Sequence, residues 1–167
     1  GGAVGHQGHL KKADAQAIAL EWCDNDFDQN LILGPTDNTD IANTLYELFK
    51  PPADDADHKC REWDGKNDNV KNLDVSEVTN FAGFFLNNIN FNGDISGWDV
   101  SKATMLDGMF HVAHKFNQDL NSWQTSKVTQ INSLFEKAYS FNGDITSWDT
   151  SNVKSMKGTF KNAFEFN

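Results

Sequence analysis

Few residues of this chain could carry chemistry, and their spacing limits what that chemistry is. Asp24, Asp26 and Asp28 alternate as the opening ligands of a calcium loop do, where a hard cation collects oxygen donors from every second residue. Gln29 stands where an EF-hand needs glycine and Pro35 stands at position twelve, so an EF-hand is excluded. A solvated acidic loop or a weaker calcium site is left. Asp94, Asp119 and Asp144 recur at one spacing; they could line up as calcium ligands or accept backbone N–H groups in turns, and the Asn and Gly residues beside them favour turns. Ser101, Ser126 and Ser151 recur in the same way and read as turn residues, not as three nucleophiles. His111 and His114 could share a face, but Tyr139 and Phe164 stand at the positions equivalent to His114, so it is expected to pack as an aromatic. The sequence has no nucleophile elbow, no phosphate-binding glycine loop and no paired His–Cys arrangement. A non-enzymatic protein without a cofactor is expected.

Cys23 and Cys60 fall outside the recurring motifs. They permit one disulfide, which in an oxidising compartment would stabilise the loop by about 3 to 4 kcal/mol, or they are two reduced, buried thiols.

The element that must position these residues is a repeat. Phe-Asn-Gly-Asp-Ile begins at Phe91, Phe-Asn-Gln-Asp-Leu at Phe116 and Phe-Asn-Gly-Asp-Ile again at Phe141, 25 residues apart each time, and Phe166-Asn167 starts a further copy. A degraded copy occupies residues 66–90, followed by copies at 91–115, 116–140 and 141–165. A fixed period without insertions is what a solenoid needs, because each coil lays its side chains on those of the coil before. The expected core ladders include Ile95/Leu120/Ile145 (with Val70), Trp98/Trp123/Trp148, Phe110/Phe135/Phe160 (with Phe85) and Phe91/Phe116/Phe141/Phe166. A thin coil has room for few core residues, which accounts for 13 Phe and 5 Trp in a chain only 38% hydrophobic.

Within a copy, apolar residues at three- and four-residue steps from Met105 to His114 predict a short helical turn. The stretches Asp94–Trp98 and Lys102–Leu106, bounded by turn residues, predict short parallel strands. The fold class expected is therefore an α/β repeat solenoid of the leucine-rich-repeat kind. Its outward positions Ser96/Asn121/Thr146 and Lys102/Lys127/Asn152 are candidates for a polar contact face.

The segment Phe-Asn-Gly-Asp-Ile-Ser-Gly-Trp-Asp-Val-Ser-Lys (91–102), followed by Gly108-Met109-Phe110, resembles the BspA-like leucine-rich-repeat group of surface proteins. The resemblance covers residues 66–167. It implies a right-handed solenoid, display outside the cell and adhesion or protein–protein contact, and it supplies no catalytic residue. Ala103 and Gln124 depart from the sister copies, which carry Val and Asp there.

Ahead of the repeats, residues 1–9 read as a disordered or artificial terminus and residues 10–65 as a helical cap. The cap is expected to hold one helix over Ala13–Asp24, with Asp14 as its N-cap, and another over Asp40–Lys50 ended by Pro51-Pro52. A short array that stops two residues into a fifth copy suggests either a chain that continues or an edge covered by a partner.

A net charge of −10 and no local Lys/Arg cluster disfavour nucleic acid and anionic membrane surfaces, and no stretch is long and apolar enough to span a bilayer. No Asn heads a glycosylation sequon. The expected function is non-catalytic protein–protein recognition or adhesion, at the cell surface, secreted, or in an organelle lumen. One alternative is a structural subunit that caps or bridges a larger assembly. Another is a carbohydrate- or calcium-dependent surface binder; the column Thr79/Thr104/Thr129/Lys154 breaks the regular threonine face that an ice- or glycan-binding ladder would want.

Overall fold

The computed structural model describes Lys71 and residues 75–167. The expected cap helices, the Cys23–Cys60 pair, Val70 and Asp24, Asp26 and Asp28 lie outside the described residues.

Successive copies lie against one another in parallel register. Asn80, Met105, Gln130 and Ser155 pair in parallel bridges, each with the residue 25 positions on. The aromatic positions explain why register cannot slip. Phe85, Phe110, Phe135 and Phe160 stack at centroid separations of 5.7, 5.5 and 5.7 Å, and Phe91, Phe116, Phe141 and Phe166 at 5.8, 5.9 and 5.9 Å. The two columns interlock within each copy, as where Phe110 meets Phe116 at 4.0 Å with nearly parallel rings. Trp123 and Trp148 stack beside them at 6.1 Å, with their planes 1° apart. Ile95 and Leu120 are fully buried, and Ile145 packs on the same core from a partly buried position. A shift of one residue would take every ring out of its column and forfeit this stacking.

The backbone differs from the expected strands and helix. Among the described residues there is no α-helix and no strand longer than a single bridge residue. Where a helical turn was expected, each copy has a run of turns over 82–87, 107–112, 132–137 and 157–162. Two positions in each run hold left-handed φ: Gly83, Gly108, Ser133 and Gly158 at the first, and Asn87, Val112, Lys137 and Asn162 at the second. A left-handed residue turns its peptide away from the helical direction, so an i→i−4 ladder cannot propagate through it.

The hydrogen bonds alternate as a result. Met109, His111 and Ala113 donate back three residues within their own copy, while Leu106, Gly108, Phe110 and Val112 donate to Gln130, Asn132, Leu134 and Glu136 of the following copy. The bonds of this second kind measure 2.8 to 3.0 Å at all three described junctions. Since the carbonyl of Met105 receives the N–H of Phe81 while the N–H of Leu106 reaches Gln130, peptide units hydrogen-bond head to tail from copy to copy. The backbone polarity demanded by burial is thus satisfied between copies, with little regular secondary structure inside any one of them.

Candidate functional site

The aspartate column is built by local turns. Asp94, Asp119 and Asp144 accept through Oδ1 the backbone N–H of Ser96, Asn121 and Thr146, at 3.0, 3.2 and 2.9 Å. The hydroxyls of Ser96 and Thr146 donate to the same carboxylates at 2.7 Å. Asp99 and Asp149 make the same turn with the backbone N–H of Ser101 and Ser151. Such turns use a carboxylate as a substitute for a backbone carbonyl. The Ser96 hydroxyl and then its N–H hold the Asp94 carboxyl below the ordinary aspartate value; for Asp144 the Thr146 N–H leads and the hydroxyl follows. The hydroxyls of Ser101 and Ser151 lead in lowering Asp99 and Asp149. No group of three or more His, Cys, Asp or Glu side chains that could hold a metal ion occurs among the described residues.

The outward positions picked from the sequence are partly consumed by the stack itself. Asn121 Oδ1 receives the Ser147 N–H at 2.7 Å and its carbonyl receives the Ser147 hydroxyl, so Asn121 joins two copies. Lys102 pairs with Glu77 at 2.7 Å across a junction. Asn152 donates its amide to the Ser126 carbonyl, and Lys127 is exposed. The threonine hydroxyls behave alike: Thr104 donates to the Thr79 carbonyl and Thr129 to the Thr104 carbonyl. The tryptophans also bridge copies, with Trp123 Nε1 donating to the Ile95 carbonyl at 3.0 Å and Trp148 Nε1 to that of Leu120 at 2.9 Å.

A different column is the one that presents large apolar surface. Ile89, His114, Tyr139 and Phe164 occupy one repeat position, next to the buried Asn88, Ala113, Ala138 and Ala163. His114 stacks on Tyr139 at 4.4 Å and Tyr139 on Phe164 at 5.3 Å. Ile89 is 47% exposed, Tyr139 36% and Phe164 73%. Burial and then the nearby Lys137 push the His114 imidazole below its ordinary value, which favours the neutral ring in this stack. The repeat spacing alone marks these four as one column; their outward direction was not legible, because an apolar position in a period reads first as core.

The far edge of the fourth copy carries the ends of the buried ladders. An open concavity of about 410 Å³ there is lined by Ile131, Met156, Gly158, Thr159, Phe160 and Lys161. The backbone N–H groups of Met156, Gly158, Phe160 and Asn162 are equivalent to those that bond across each junction, and here they meet no carbonyl among the described residues. Nor is any described helix long and apolar enough to cross a membrane.

No curated protein and no solved structure matches the chain. The model of the family described as Mycoplasma protein of unknown function, DUF285, matches residues 53–167, which is more than half of the chain and takes in every described residue, so the chain belongs to that family.

Proposed function

We propose that this chain is a leucine-rich-repeat-like solenoid of the BspA-like group, displayed at the cell surface or secreted, which recognises a protein partner without catalysis. The observation that carries this reading is the outer column of Ile89, His114, Tyr139 and Phe164. Ile89, Tyr139 and Phe164 are large and exposed, His114, Tyr139 and Phe164 stack in a row, and the four differ from copy to copy while the inner rings stay Phe and Trp. Rigid, half-exposed aromatics bury much area for little lost side-chain entropy, as recognition anchors do.

The test is binding of the purified protein to cell-surface extracts, compared with Tyr139→Ser and Phe164→Ser variants. Saturable binding is expected, weakened by each variant about tenfold, the equivalent of ~1.4 kcal/mol, with thermal stability nearly unchanged. Absence of binding by the parent protein, or binding indifferent to both substitutions, would sink this reading.

A further inference from the structure

Val112 is a residue that its own backbone disfavours. Asn87, Val112, Lys137 and Asn162 hold equivalent places, with φ of 62°, 64°, 58° and 57°. One conformation under three residue types shows that the turn fixes the left-handed backbone whatever the side chain. Asparagine reaches it at little cost, whereas a branched Cβ crowds the neighbouring carbonyl oxygen. The core supplies no reason for a valine here. Val112 is half-buried, yet it is found neither in the buried cluster nor among the partly buried apolar residues packed on it.

The surroundings of Val112 follow from the repeat. The Lys137 ammonium is close enough to His114 to act on its imidazole, and Val112 stands to Ile89 as Lys137 stands to His114, one period earlier. The backbone puts the next position there as well: the Lys115 N–H donates to the Ile89 carbonyl at 3.2 Å and the Ser140 N–H to that of His114 at 3.1 Å. Ile89 is exposed, so it and Val112 make an aliphatic end to the row that His114 and Tyr139 continue. Lys115 and Lys137 border the same row, and neither forms a salt bridge among the described residues. Glu136 is engaged first by the Ser133 hydroxyl, and Lys137 is the least of the cations that act on it.

On the reading of the outer column as a recognition face, we propose that Val112 is a partner-contacting residue, whose aliphatic side chain completes the patch begun by Ile89. The partner is a protein segment that presents a branched aliphatic side chain to this patch and a carboxylate to Lys115 and Lys137. Backbone strain and binding then oppose each other at one residue. Asparagine would relax the left-handed turn but would set a hydrated amide where apolar area is to be buried. Lysines at the rim of an apolar patch select a carboxylate mainly through the rate of encounter, which salt screens.

The probe is a phage-displayed library of random dodecapeptides, selected on the whole chain and counter-selected on its Tyr139→Ser variant. Recovered peptides are expected to combine Val, Ile or Leu with a neighbouring Asp or Glu. In fluorescence anisotropy, such a peptide should bind about tenfold more weakly to Val112→Asn and to Val112→Gly, and as tightly as to the parent with Val112→Ile. Lys115→Gln combined with Lys137→Gln should weaken it several-fold and flatten its salt dependence. Val112→Asn should meanwhile show the higher denaturation midpoint, so its weaker binding is not a loss of folding. Peptides that bind Val112→Asn and Val112→Gly as tightly as the parent, or that carry no acidic residue, overturn the proposal and leave the outer column a recognition face. A lower midpoint for Val112→Asn overturns it too, because the valine would then pack against its own fold. Recovery of no peptide that depends on Tyr139 removes the recognition face and this proposal with it.

Discussion

Asp94, Asp99, Asp144 and Asp149 each have a carboxyl lowered by hydrogen bonds from the serine or threonine two residues on. A group whose folded value lies below its unfolded one adds stability that is complete above the unfolded value, about 3.9 for aspartate, and is lost as pH falls through the folded value. His114 has the same sign, its loss beginning nearer pH ~6.5. The midpoint of urea unfolding should therefore decline from about pH 7 towards 5 through His114 and again below about pH 4 through the aspartates. His114→Gln should remove the first decline, and Ser96→Ala with Thr146→Ala should flatten the second. A midpoint constant over that range would show that the turns contribute no net stability. The aspartate column also illustrates what residue types convey: Asp followed two residues later by Ser, Asn or Thr is itself the signature of a turn, which is why turn chemistry was readable from three recurring motifs.

The run of turns in each copy was the least legible element. Apolar residues at Leu106, Phe110 and Ala113 have helical spacing, yet the left-handed pairs at Gly108 and Val112 divert the chain. No common residue type marks these positions, since Asn87, Val112, Lys137 and Asn162 are equivalent. Val112 is the costly member, because a β-branched side chain crowds a left-handed backbone. Val112→Asn, the residue of two sister copies, should raise stability by ~1 kcal/mol, read as a higher denaturation midpoint; a lower midpoint would mean that the valine's packing outweighs its strain. Gly143→Ala goes the other way. With the new methyl held against the Gln118 carbonyl, the junction must open, and a loss of ~3 kcal/mol is expected; a loss below ~0.5 kcal/mol would show that the two copies separate easily.

For the whole molecule, stability should follow from the sum of equivalent junctions, because the bonds and ring separations at one junction recur at the next. Removing residues 116–140, one full period, rejoins equivalent surfaces and should leave a cooperatively folded protein of lower melting temperature. Removing 117–140, one residue short, should unfold the copies beyond the cut; cooperative melting of both deletions at similar temperatures would contradict the register argument. The sequence by itself determined the 25-residue period, the positions of Phe85, Phe110 and Phe135 and of Trp123 in equivalent places, and the turn role open to each aspartate. It could do so because side chains that must meet their own equivalents are repeated as residue types. Only the tertiary structure decided three further matters: that junction peptides bond head to tail with little strand or helix, that Asn121 and Lys102 are drawn into contacts between copies, and that Ile89, His114, Tyr139 and Phe164 face outward. Those depend on backbone angles and on which side of a stacked copy meets solvent, and neither is encoded in the identity or the spacing of any single residue.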